Sequence, residues 1–201
     1  MTKIDRKNQA QRSAETQIKL FEATLDSLQE FGYRGTSLSK IMLKAGVSKG
    51  AWSHHFTSKS ELVVAASEYI LNKAIETTQD WVLSLNSSNL KLFDIFDFIW
   101  NNFYIGRHRD IWLELNIACR TDGNLKDRLS PIIAHFHKSI NKAWKSYTTA
   151  KGYNDKVSEH IMILTINCFR GMAIQSITQN DHEYFKELRM EWFKIVSILL
   201  S

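Results

Sequence analysis

Residues 37–56 read SLSKIMLKAGVSKGAWSHHF, and the spacing within them decides the fold of the N-terminal part of the chain. A serine at position 37 can accept a hydrogen bond from the first free N–H groups of a helix, and Leu38, Ile41, Met42 and Ala45 follow it at helical spacing. Gly46 supplies the sharp turn at the end of that helix. Ser48 repeats the cap for a second short helix through about His54, in which Ala51 and Trp52, with Phe56 after them, can face a core. Two short capped helices about a glycine turn are the ingredients of a helix-turn-helix, whose second helix fits the major groove of DNA. On that helix Gly50 and Ala51 let a backbone come close, and Lys49, Ser53, His54 and His55 offer hydrogen bonds to bases or phosphates.

Working outward, Ile18, Phe21, Leu25 and Leu28 place one apolar stripe on a preceding helix that stops at Gly32, and Gly32 to Gly35 reads as a turn. Ser58-Lys59-Ser60-Glu61 fits a reciprocal capping box that opens a long helix running toward Trp81. Ser84 to Asn89 is linker-like. Beyond it, helical stripes run from Leu92 to Tyr104, from Ile111 to Cys119, from Ile133 to Tyr147, from Val157 to Gln175 and from Phe185 to Leu199. Ser130-Pro131 leaves two arrangements open, a cap followed by a first-turn proline or a kink inside a helix that starts near Asn124. With one proline and eight glycines in 201 residues, 44% of them hydrophobic, the expected fold is all-α. The last two stripes carry second apolar rows, Met162, Ile166, Phe169 and Ala173 on one and Phe193, Val196 and Leu200 on the other. One row suffices for an internal core, and a second argues for contact with another copy of the chain.

The net charge of +5 is unevenly placed, because residues 1–60 hold ten Lys and Arg against five Asp and Glu, while the remainder holds sixteen of each. A basic excess confined to one small domain points to a phosphate-bearing partner. The N-terminal residues form no apolar run of the kind a signal peptide needs, and no stretch is long and apolar enough for a membrane helix, so a cytoplasmic protein without a membrane partner is expected. Cys119 and Cys168 read as buried thiols, and His135 and His137, two residues apart, point to different helix faces and make no metal pair. There is no GxSxG elbow and no glycine-rich phosphate loop, so neither catalysis nor a cofactor is expected.

Gly32-Tyr33, Thr36-Ser37-Leu38, Ile41, Ala45 to Gly50, His55-Phe56, Ser58-Lys59 and Glu61-Leu62 resemble, in register, the DNA-binding signature of the TetR family. The resemblance implies an N-terminal three-helix bundle with a helix-turn-helix, and a C-terminal helical domain for ligand binding and dimerisation. The corresponding divisions are a basic arm over 1–13, a DNA-binding domain over 14–74 with its motif at 37–56, and an effector-binding and dimerisation domain over 75–201. The resemblance implies that Thr36, Ser37, Lys49, His55 and Lys59 touch phosphates or flank the groove while the recognition helix supplies base contacts. The full expected DNA-binding set is Arg34, Thr36, Ser37, Ser48, Lys49, Gly50, Ala51, Trp52, Ser53, His54, His55 and Lys59. The family commonly has a phosphate-reaching tyrosine where this chain has Ser53, which leaves that contact to His54 or His55.

The implied function is a repressor of transcription that binds double-stranded operator DNA as a homodimer through its last two helices, residues 155–201. A small, largely apolar or aromatic effector would release it. The aromatic-rich C-terminal half offers Trp100, Phe103, Tyr104 and Trp112 as walls of a ligand site, with Asn116, Arg120, His135, Asn167 and Arg170 as polar anchors.

Overall fold

The computed structural model describes residues 9–84 and 91–200, so residues 1–8 of the expected arm and 85–89 of the expected linker lie outside the described residues. The described chain is helical without strands: α1 (Gln9–Gly35), α2 (Leu38–Ala45), α3 (Lys49–Ser53), α4 (Lys59–Ser84), α5 (Leu92–Phe103), α6 (Gly106–Thr121), α7 (Gly123–Ala150), α8 (Asp155–Gln175) and α9 (His182–Leu200). None of these helices is long and apolar enough to cross a membrane.

The helices gather into two compact units, one holding the residues up to Ile70 together with Glu114–Leu129, the other Leu71–Leu113 and Ser130–Ser201. The first unit is built on α1, whose buried face carries Leu20, Ala23, Leu25 and Leu28. Ile41, Trp52, Phe56 and Leu62 join Leu20 in one core, so each short helix contributes an apolar anchor. Thr24 and Ser27 are buried among these residues and return their hydroxyls to the backbone, at 2.7 Å from Leu20 O and 2.7 Å from Ala23 O. That satisfies groups which would otherwise be costly to bury.

The core of the second unit runs through Phe96, Ile99 and Trp100 of α5, Trp144 of α7, Ile161, Met162 and Phe169 of α8, and Phe185, Val196 and Leu200 of α9. At Pro131 the longer-helix arrangement is the one found, because α7 continues through it from Gly123 to Ala150. Proline removes the N–H that would pair with the carbonyl of Asp127, and both residues are exposed, so water can serve that carbonyl. On α8 and α9 the apolar rows divide differently from the sequence expectation. Met162, Phe169, Ala173, Val196 and Leu200 are buried within the chain, whereas Ile163, Leu164, Ile174, Ile195, Ile198 and Leu199 are exposed. Periodicity reveals two rows, but which one faces inward depends on the packing of the neighbouring helices.

Candidate nucleic-acid interface

The helix-turn-helix is fixed by local hydrogen bonds. Ser37 Oγ accepts from Lys40 N–H at 3.3 Å and caps α2, and Ser48 Oγ accepts from Ala51 N–H at 3.3 Å and caps α3. Between them Gly46 takes φ 64°, the left-handed conformation, and its N–H closes onto the last carbonyls of α2. The box expected at α4 is displaced by one residue. Ser58 Oγ accepts from Glu61 N–H as expected, but the Glu61 carboxylate accepts from the N–H and hydroxyl of Thr57, at 2.7 and 2.6 Å.

Burial sorts the sequence-derived residues into two groups. Arg34, Ser37, Ser48, Lys49, Gly50, Ser53 and His54 are exposed, and Ala51 and His55 are partly so. Neither Arg34 nor Lys49 has a hydrogen-bond or ion-pair partner among the described residues. Gly50 needs no positive φ, and a Cβ added there would meet nothing within 4 Å, so the fold of the chain does not itself require glycine at that position. Ser53 turns its hydroxyl back to Gly50 O at 3.0 Å. Trp52 is only 7% exposed and belongs to the core, and Thr36, 2% exposed, donates to Ser27 O and Gly32 O. Lys59 donates from Nζ to Tyr33 O at 2.9 Å and Thr36 O at 3.2 Å, and its ammonium lies 4.3 Å over the Tyr33 ring. Burial lowers its pKa. These three side chains hold the motif from beneath.

Several supports were not visible in the sequence. Gly32 interrupts α1 with φ 66°, and there the Tyr33 N–H donates to Glu114 Oε2, 81 positions away, at 3.0 Å. Tyr33 donates its hydroxyl to Asp122 Oδ2 at 3.0 Å, and burial, then this carboxylate, pushes its pKa up to about 12. Asp122 also accepts from Leu125 N–H at 2.9 Å, capping the start of α7. Lys40 Nζ donates to Gly35 O at 2.9 Å over the Phe31 ring, and Lys44 pairs with Glu30 at 2.7 Å, so two basic residues of α2 are tied to α1. No local pattern marks partners this far apart.

Of the candidate ligand-site residues, the second unit brings four together. Arg170 of α8 donates to His137 Nε2 of α7 at 2.9 Å and lies 5.4 Å from the Trp112 ring centroid, and burial raises the Tyr104 pKa while the nearby Arg170 charge opposes that rise. Trp100 stacks beside Tyr104 at 6.3 Å, and Phe103 meets Phe136 edge-on at 6.4 Å. Asn116, Arg120, His135 and Asn167 are exposed, so His137 rather than His135 reaches the arginine. Among the described residues no His, Cys, Asp and Glu group could hold a metal.

Residues 20–66 match the family model for bacterial regulatory proteins of the tetR family. Over 190 residues the chain is 30% identical to the HTH-type transcriptional regulator CymR of Pseudomonas putida, covering 94% of this chain and 93% of that one. Its fold is similar to the reduced form of Escherichia coli NemR, with a TM-score of 0.72 at 14% identity over 92% of this chain and 98% of that one. It is also similar to a TetR transcription regulator from Haloarcula marismortui, with a TM-score of 0.69 at 17% identity over 93% and 97% of the two chains.

Proposed function

This chain belongs to the tetR family of bacterial regulatory proteins, which are DNA-binding transcriptional regulators, and we propose that it is a repressor that a small effector releases from its operator. The observation that carries this reading is the outward face of α3. With Trp52 and Phe56 turned into the core, Lys49, Gly50, Ser53 and His54 are left exposed on a helix capped at its start by Ser48. Among the described residues Lys49 has no partner, and glycine at position 50 answers no demand of the fold, which suits close approach of a phosphate backbone. Arg34, Ser37, Ser48, Ala51 and His55 complete the proposed contact surface, while Thr36, Trp52 and Lys59 act by positioning it.

A dimer presents two such helices to half-sites about one DNA turn apart. The exposed Ile163, Leu164 and Ile174 of α8 and Ile195, Ile198 and Leu199 of α9 support the last two helices as its interface. Effector binding that changes the spacing of the recognition helices weakens operator affinity by roughly 5–150-fold.

The test is selection of bound fragments from random DNA, followed by anisotropy titration of the winner at several salt concentrations. The expected result is a palindrome with half-sites one turn apart and affinity that falls with salt. Salt-sensitive binding with no enriched sequence would overturn the reading. Ile195→Glu together with Ile198→Glu is expected to yield monomers by light scattering and to lose the palindrome-specific affinity.

A further inference from the structure

The arginines of the second unit are not equivalent. Arg109 pairs with Asp110 at 2.8 Å and Arg189 with Asp97 at 3.5 Å, so each has a carboxylate. Arg170 is partly buried and meets, among the described residues, only neutral groups: the His137 ring, the Tyr104 hydroxyl and the Trp112 face. Among the described residues its Nε–H is buried with no acceptor. A guanidinium has five donors in a planar fork and accepts nothing, so His137 Nε2 must accept, which puts the ring proton on Nδ1. Burial, followed by the Arg170 charge, lowers the His137 pKa, and the ring stays neutral at pH 7. The cluster therefore holds one uncompensated positive charge set among aromatic rings.

We propose that Arg170 is the anion-binding group of the effector site, and that the effector is a small monocarboxylate with an aromatic or aliphatic body. The carboxylate accepts from the Arg170 guanidinium, whose Nε–H has no acceptor among the described residues, and the body lies against Trp112 and Tyr104. A single charge among neutral neighbours matches a monoanion; a phosphate dianion would call for a second cation, which neutral His137 does not supply. A neutral apolar ligand would leave the buried Nε–H without an acceptor. This inference rests on the reading of the chain as an effector-released repressor.

The experiment is calorimetric titration of the full chain with benzoate, phenylacetate and hexanoate, each beside its primary amide. The expected result is that at least one acid binds at least tenfold more tightly than its amide, and that Arg170→Met removes that difference while Arg170→Lys restores part of it. The wild-type acid and amide comparison stands even if a variant does not fold. The proposal is overturned if no acid binds, if acids and amides bind alike, or if Arg170→Met keeps the preference. Operator selection by the same preparation separates the two levels. A selected palindrome without acid binding defeats only this inference, whereas failure to select any sequence defeats the regulator reading itself.

Discussion

The two units of this chain both cap helix starts with polar side chains, Asn154 and Asp181 doing so for α8 and α9, but their cores differ in how far rings fill them. In the first unit short hydroxyl side chains close the helix starts, with Ser37, Ser48 and Ser58 each accepting a backbone N–H. In the second, rings define the core: Phe169, fully buried, meets Phe96 at 5.8 Å, Trp100 at 5.7 Å and Tyr104 at 5.8 Å, all edge-on. Hydrogen-bonded caps are directional and suit a surface that must present a five-residue helix in one orientation. Edge-on ring contacts fill the interior of the second unit with apolar surface, and Arg170 stands beside a ring there, 5.4 Å from the Trp112 centroid.

If packing rather than polar geometry governs the second unit, Phe169→Ala is the most damaging single change there. It empties a ring-lined site and is expected to cost about 3–5 kcal/mol in urea unfolding at fixed protein concentration. A loss below about 1 kcal/mol would mean that the neighbouring rings close the gap, and the contrast between the units would blur.

The next effect belongs to the first unit. Gly32 has φ 66°, and a Cβ there would stand 2.7 Å from Glu114 Oε2, so Gly32→Ala meets both a strained backbone and a carboxylate. The expected cost is about 1–3 kcal/mol. Adding Glu114→Ala relieves the steric part but removes the acceptor of Tyr33 N–H, so the double variant should regain only a fraction. Full recovery would show that the backbone conformation itself costs little.

These two positions also show what sequence can reveal. Gly32 ends the apolar stripe of α1, and the caps at Ser37 and Ser48 lie within three residues of the N–H groups they serve, so the helix-turn-helix is legible from local rules. Glu114 and Asp122 are not legible, since they reach Tyr33 across 81 and 89 positions. The inward turn of Trp52 is legible too, since with Ala51 and Phe56 it reads as core-facing, whereas Thr36 is held inward by its bond to Ser27 O, nine positions back, which no helical spacing marks. The same holds for the choice between the rows of α8 and α9, and between His135 and His137 as the neighbour of Arg170.

A smaller effect separates capping from contact within the motif. Ser48→Ala removes one acceptor at the start of α3 and is expected to cost about 1 kcal/mol of stability. Lys49→Ala should leave the melting temperature unchanged, weaken operator binding, and lower the salt slope by about one counterion. An unchanged slope would remove Lys49 from the phosphate contacts.

The smallest effect tests whether the polar supports of the first unit act as charges. Asp122 accepts from Leu125 N–H and from the Tyr33 hydroxyl, and these bonds, in that order, hold its carboxyl below the usual carboxylate range. A folded-state pKa below the unfolded one contributes stability that is complete above the unfolded pKa and lost as the pH falls through the folded one. Asp122→Asn should therefore lower the melting temperature at pH 7, where the wild-type carboxylate is ionised. The gap should persist down to the ordinary carboxylate range and close below it, as the wild-type carboxyl takes up its proton. A gap that is the same at pH 7 and well below the carboxylate range would show that Asp122 supports the fold by shape alone, and the first unit would then resemble the second more closely than its hydrogen bonds suggest.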